Sequence, residues 1–215
     1  QSGEVAEVVE KLFPFEKRES YRESKPTTKT IEKVNEVIEE DDVKQGKLNI
    51  GYRTNILYGD DDYNALQVFN GLFGGFSHSK LFINVREKES LAYYAASRVE
   101  SHKGLLMVMS GIEFKNYKKA VTIINEQMDA MRQGEYTDQE IDQTKAVIKN
   151  QLLETIDTAR GIVEVFYQNA VAGKPNPINE WLEGIDSVTK QQILEVANKI
   201  QQDTIYFLKG SEVAD

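Results

Sequence analysis

The chain of 215 residues carries a net charge of −9, has a pI near 4.9 and contains no cysteine. A length of this order supports one large core, burying roughly 70% of the unfolded surface. The missing cysteine excludes disulfides, thiolate catalysis and every cysteine-based zinc or iron–sulfur site. An acidic chain is ill suited to nucleic acid, where affinity comes mainly from Lys and Arg neutralising phosphates, and no run approaches the roughly eighteen apolar residues of a membrane span.

The first ten residues, QSGEVAEVVE, lack the basic and apolar regions of a signal peptide. With a cysteine-free composition that suits a reducing compartment, this predicts a cytoplasmic protein without membrane attachment. Val5, Val8, Val9 and Leu12 recur at helical spacing and predict a first helix within residues 1–13. The chain has no initiator Met and opens almost directly into this helix, which predicts that it is a piece of a longer polypeptide. Residues 14–42 are polar, charged and poor in bulky apolar side chains, so they read as a connection running over the surface.

The main body is expected over residues 43–210. Leu48, Ile50 and Tyr52 alternate with Lys47, Asn49, Gly51 and Arg53, the period of a half-buried strand. A helix follows through Ala65, Leu66, Val68, Phe69 and Leu72, preceded by carboxylates and stopped at Gly74 and Gly75. A short helix through Leu81, Phe82 and Val85 then leads into a strand from about Ala92. The segment ESHKG is of hairpin-loop length, and GLLMVMSGIE, apolar on both faces, predicts a central strand after it.

Beyond that strand, Tyr117, Val121, Ile124, Met128 and Met131 share one helical face that closes at Gly134. Capping boxes at Thr137–Glu140 and Thr189–Gln192 open two further helices, the first continuing through Ile141, Ile148, Leu152 and Ile156. TIYFLK closes the ordered chain as a strand. Strands early and at the very end, with a block of helices between, predict an α+β fold: a mostly antiparallel sheet covered on one face by helices. Leu48, Ile50, Leu106, Val108, Val121, Ile124, Ile148 and Leu152 are expected to share its core.

Few residues suggest chemistry directly. His78 and His102 are the two histidines, and neither has a partner at the i+3 or i+4 spacing of a helical metal site. Both read as solvated loop residues, and no stoichiometric zinc is expected on this chain. The acidic runs Glu39–Asp42 and Asp60–Asp62 lack the oxygen spacing of a calcium loop. Gly74 and Gly75 belong neither to a P-loop nor to a dinucleotide fingerprint. Ser97 and Ser110 have no histidine placed as a base. Arg86 and Tyr93, seven residues apart, read on spacing alone as a surface charge and a packed ring.

The run GLFGGFSHSKLFINVREKESLAYYAASRVESHKGLLMVMSGIE, Gly71 to Glu113, resembles the C-terminal, zinc-free half of the insulinase or pitrilysin-type zinc metallopeptidases. A Gly-Gly turn, Ser-x-Leu-Phe, Arg-Glu-Lys and Leu-Ala-Tyr follow one another there at these spacings, and the order of elements agrees over nearly all of the chain. In that family two homologous halves close like a clamshell around a peptide, and one carries an H-x-x-E-H zinc motif. The resemblance implies a clamshell-half (processing-peptidase-like) fold in a single domain, 1–215, whose first strand lies upstream. It implies that Arg86 and Tyr93 hold the substrate and stabilise an oxyanion, and it assigns Gly74, Gly75 and Ser77 to substrate contact. No H-x-x-E-H occurs here. The implied partners are therefore a peptide substrate and a homologous zinc-bearing half or subunit, with zinc on that partner half and no cofactor on this chain. The rival reading is a catalytically inactive scaffold that binds a protein through the same surface.

Overall fold

Alternating side chains decide which face of the sheet is covered. Along the strand Gly46–Arg53, Leu48, Ile50 and Tyr52 are completely or almost completely buried, whereas Lys47, Asn49, Gly51 and Arg53 are exposed or half-buried. The computed structural model, which describes residues 2–14, 16, 28–173 and 177–210, has five strands in one sheet: β1 (Asn35–Asp41), β2 (Gly46–Arg53), β3 (Ala92–Glu100), β4 (Leu105–Ile112) and β5 (Gln201–Gly210). Their order is β1-β5-β2-β4-β3. All pairs are antiparallel except β1 with β5, so the mixed α and β content and the mostly antiparallel sheet agree with the expected fold class.

The register lines up the buried side chains. Ile50 opposes Val108 on β4 and Ile205 on β5, Leu48 opposes Phe207, and Tyr52 opposes Leu106. The helical layer that closes on this face is formed by α2 (Tyr63–Asn70), α3 (Tyr117–Arg132), α4 (Asp138–Ile156) and α7 (Lys190–Lys199). Leu66, Phe69, Phe73, Ile124, Met128, Ile193 and Val196 join the core from it. Each fully buried Leu, Ile, Phe or Met side chain contributes about 1.5–3 kcal/mol by leaving water. Phe69 and Phe73 stack at 5.6 Å, and Tyr117 stacks on Phe207 at 4.5 Å.

Both expected capping boxes form. The Thr137 hydroxyl accepts from the Glu140 N–H (3.2 Å) while the Glu140 carboxylate accepts from the Thr137 N–H (2.7 Å). Thr189 and Gln192 repeat the pattern at 3.3 and 2.8 Å. Between these helices lie α5 (Ala159–Ala172), capped by the Thr158 hydroxyl, and α6 (Ile178–Ser187). The opening helix, α1 (Ser2–Leu12), also forms, with Val5, Val8, Val9 and Leu12 facing solvent.

Two expectations are corrected. Residues 14–42 are not connection throughout, because 35–41 form β1 in parallel register with β5. Glu36, Glu39, Glu40 and Asp41 hide that strand from a search for alternation, and charged side chains are what blunts an exposed sheet edge. Part of the remaining segment, residues 15 and 17–27, lies outside the described residues. In the core, Leu48, Ile50, Leu106, Val108 and Ile124 are buried together with Val121 and Ile148 against them, but Leu152 is buried outside this cluster.

Leu106 is 0% exposed and lies between Tyr52 and Val99 in the sheet. Leu106→Ala is expected to cost about 2–5 kcal/mol through lost transfer energy and the cavity left behind. Urea denaturation of the two proteins checks this, and a loss below about 0.5 kcal/mol would contradict the packing described.

Candidate functional site

The helix α2 does not stop at Asn70. Its turns widen to i→i+5 hydrogen bonding over Gly71–Gly75 before Phe76 becomes extended. Gly74 is the point of closest approach to the sheet. A Cβ there would lie 2.6 Å from the Ser97 hydroxyl oxygen and 2.7 Å from the Ser97 backbone nitrogen. Ser97 itself donates to the Asn70 side-chain oxygen at 2.7 Å. The missing side chain thus lets this turn lie directly on β3.

Past this contact, the Phe82 N–H bonds to the Ser79 hydroxyl (3.4 Å), and a second widened helical segment, Phe82–Lys88, begins. Leu81 and Val85 anchor it in the core. Arg86 leaves its last turn into solvent, with the guanidinium 4.5 Å from the centre of the Phe82 ring. Ser90, at a φ of 48°, turns the chain back, and the Leu91 N–H bonds to the Val85 carbonyl at 3.1 Å. That bond ties the residue before Arg86 to the residue two before Tyr93, so both side chains start from one backbone bridge.

Tyr93 owes its direction to a β-bulge. Ala92 opposes Ile112 and Tyr94 opposes Gly111, which leaves Tyr93 as an extra residue on β3. A bulge re-aims a side chain, and Tyr93 is 80% exposed although it sits in a strand. Tyr94 takes the uncovered sheet face, where its ring occupies the space a Cβ on Gly111 would need. Among the described residues neither the Arg86 guanidinium nor the Tyr93 hydroxyl has a hydrogen-bond or ion-pair partner. A fixed cation and a phenolic donor, both unpartnered, are suited to gripping a peptide carbonyl or an oxyanion.

The other expected site residues separate. Gly74 is buried in the helix–strand contact, Gly75 and Ser77 are exposed, and a Cβ on Gly75 would lie 2.9 Å from the Asn70 amide nitrogen. Ser110 is buried and donates to the Tyr94 carbonyl at 3.0 Å. Both histidines are half-buried and engaged, which corrects the expectation of solvated loops. His78 Nε2 lies 2.9 Å from the Thr144 hydroxyl and its ring stacks on Phe76, while His102 hydrogen-bonds Gln168 and stacks on Tyr58. Each is held by its own helix, α4 or α5. Among the described residues no group of three or more His, Asp or Glu is arranged to hold a metal ion, so these residues do not fit a zinc site. No described helix is long and apolar enough to cross a membrane.

A family model described as the peptidase M16 inactive domain matches residues 2–148. The chain is 60% identical over 219 residues to the probable inactive metalloprotease YmfF of Bacillus subtilis (strain 168), covering 99% of this chain and 50% of that protein. It is 25% identical over 163 residues to the subtilosin biosynthesis protein AlbE of the same strain, covering 76% of this chain and 41% of AlbE. It therefore spans about half the length of these curated relatives or less. The crystal structure of a conserved protein from Enterococcus faecalis V583 superimposes with a TM-score of 0.88 at 39% identity, over 100% of this chain and 51% of that one. A Helicobacter pylori protease shares the fold at a TM-score of 0.77 and 20% identity, over 97% of this chain and 52% of that one.

Two outcomes follow from the geometry. Gly74→Ala forces a methyl group into the Ser97 backbone and is expected to destabilise the chain by about 1–3 kcal/mol, read as a lowered denaturation midpoint. Burial holds the His78 pKa below its ordinary 6.5, with Glu140 pulling partly the other way. The unfolded chain thus takes up this proton at higher pH than the folded one, and acidification from pH 7 to 5 removes stability. His78→Gln is expected to lose less stability than the native chain over that interval, as measured by denaturation at each pH.

Proposed function

The chain belongs to the peptidase M16 inactive-domain family, and we propose on that premise that it is the substrate-holding, zinc-free half of an insulinase-type zinc metallopeptidase. The catalytic zinc belongs to a homologous partner half, upstream in the same polypeptide or on a second subunit, and the assembly encloses a peptide in the cytoplasm. The observation that carries this reading is the unpartnered Arg86 and Tyr93 on one backbone bridge. A packing role would bury them or pair them, whereas here Tyr93 is turned outward by the bulge and Arg86 projects over Phe82.

In this reading the Tyr93 hydroxyl donates to the oxygen that gains negative charge as the peptide carbonyl becomes tetrahedral. Arg86 supplies a charge-assisted donor to the substrate backbone. Neither group exchanges a proton with the substrate. Their contribution is positioning and charge stabilisation, which is why they sit on rigid elements and have free donors.

The test is peptide turnover by the chain assembled with its zinc-bearing half. Tyr93→Phe deletes one donor and little volume, so turnover is expected to fall by about 10²–10³ with the fold intact. Arg86→Lys keeps the charge but loses the planar fork, and a larger share of its effect is expected in KM. If folded variants of both residues support native turnover, the scaffold reading replaces this one.

A further inference from the structure

A groove of about 600 Å³ runs beside the far end of β3, away from Tyr93. One wall is the end of β3 and the turn that follows it, with the consecutive residues Ser97 to His102. The opposite side is built from α4 and α5, and Ile148, Leu152 and Val165 with the Trp181 ring give it apolar surface. Trp181 brings a buried indole N–H with no partner among the described residues. We propose that this groove is a side-chain pocket for a peptide lying extended along the outer edge of β3, and that it takes a lysine or arginine.

Three observations lead to an extended peptide. No strand pairs with the outer edge of β3 among the described residues, so alternate backbone N–H and C=O groups stand free for strand addition. The other sheet edge, β1, is guarded by Glu36, Glu39, Glu40 and Asp41, whereas the sequence of β3 is AYYAASRVE with charges only at Arg98 and Glu100. The wall residues Ser97 to Glu100 are successive residues of that same edge, so a peptide paired there places every second side chain toward the groove or away from it.

The choice of a basic side chain rests on charge and shape. Arg98 is tied to Glu100, which leaves Glu164 as the lining carboxylate without a cation among the described residues. Its Oε1 accepts from the Gln168 amide at 2.6 Å, which fixes the carboxylate and leaves its second oxygen available. Tyr58 and Tyr63, 4.9 Å apart, add aromatic surface. A lysine or arginine has an apolar stem to lay on Leu152, Val165 and Trp181 and a charged head for Glu164. The net charge of −9 favours approach of such a peptide. Ser97 to Glu100 lie four to seven residues beyond Tyr93, a span of about 13–23 Å along a strand. One substrate thus reaches both places, and this last link alone rests on the function proposed for Arg86 and Tyr93.

Trp181 is the single tryptophan of the chain, so its emission reports on the groove directly. The probes are blocked seven-residue peptides of alternating threonine and valine whose central residue is lysine, norleucine or glutamate. The lysine peptide is expected to change Trp181 emission saturably, with the other two binding at least about threefold more weakly. Glu164→Gln, at an exposed position, is expected to erase the difference between lysine and norleucine. Gln151→Phe, on the exposed side of α4, is expected to fill the groove and abolish the response. Unmoved emission, equal binding of all three peptides, or an intact response in Gln151→Phe overturns the proposal. Failure of the groove is read in the fluorescence of the chain alone and failure of the Arg86 and Tyr93 reading in turnover by the assembly, so the two are told apart.

Discussion

The approach of Gly74 to the backbone of Ser97 is the constraint on which the rest of the candidate site depends. It sets how close the widened turn after α2 comes to β3, and the Ser97 hydroxyl, bonded to Asn70, locks the same two elements from the side-chain level. From that contact the chain runs directly into the segment bearing Arg86 and, through the Val85–Leu91 bond, back into the strand bearing Tyr93. Moving Gly74 outward by the width of a methyl group shifts the helix and the strand relative to each other. Displacements of that order matter where donors must meet a developing charge.

Two kinds of packing serve different ends here. The central contacts, Ile50 with Val108 and Ile205 and the rings of Phe69 and Phe73, are apolar and hold the layers together. Arg86 and Tyr93 lie at the periphery and add little to that core. Removing the Tyr93 hydroxyl or the planar fork of Arg86 leaves the buried cluster untouched. In the function proposed for them, activity and stability separate at these two positions, whereas Gly74 is first of all a packing constraint.

Much of the fold was legible because it is written in local patterns. The alternation in β2 and the two capping boxes are properties of four to eight neighbouring residues, and the structure contains them where the patterns lie. β1 was not legible because its pairing with β5 joins residues 169 positions apart, as Asn35 with Thr204, and a charged edge strand has no alternation to display. The block between α4 and α7 resolves into two helices whose signals were present but weak: Thr158 before Gly161, and Gly173 at a φ of 66° closing α5. Arg86 and Tyr93 stood out through resemblance rather than spacing. Nothing local foretold the bulge except two adjacent tyrosines, which break the period-2 rule wherever they fall. The groove beside Ser97–His102 had no sequence signal at all, since its walls come from five separated segments.

The histidines show how a local reading goes wrong in the opposite direction. His78 and His102 sit in short loops, which argues for solvation, yet each crosses to a helix far along the chain, at Thr144 and Gln168. The loops are fastened by these contacts, and they border the two proposed sites: GGFSHSK precedes the Arg86 segment, and ESHKG closes the end of β3 beside the groove. Tyr58 links the second loop further into the fold, stacking on His102 and donating to Asn169 at 2.7 Å. The two histidines of the chain thus serve as structural pins for these loops, and the one at His102 holds the turn at the end of β3. A turn fastened in this way suits the peptide strand proposed for β3, because an edge that must first be ordered gives up part of the backbone hydrogen-bond energy gained on pairing.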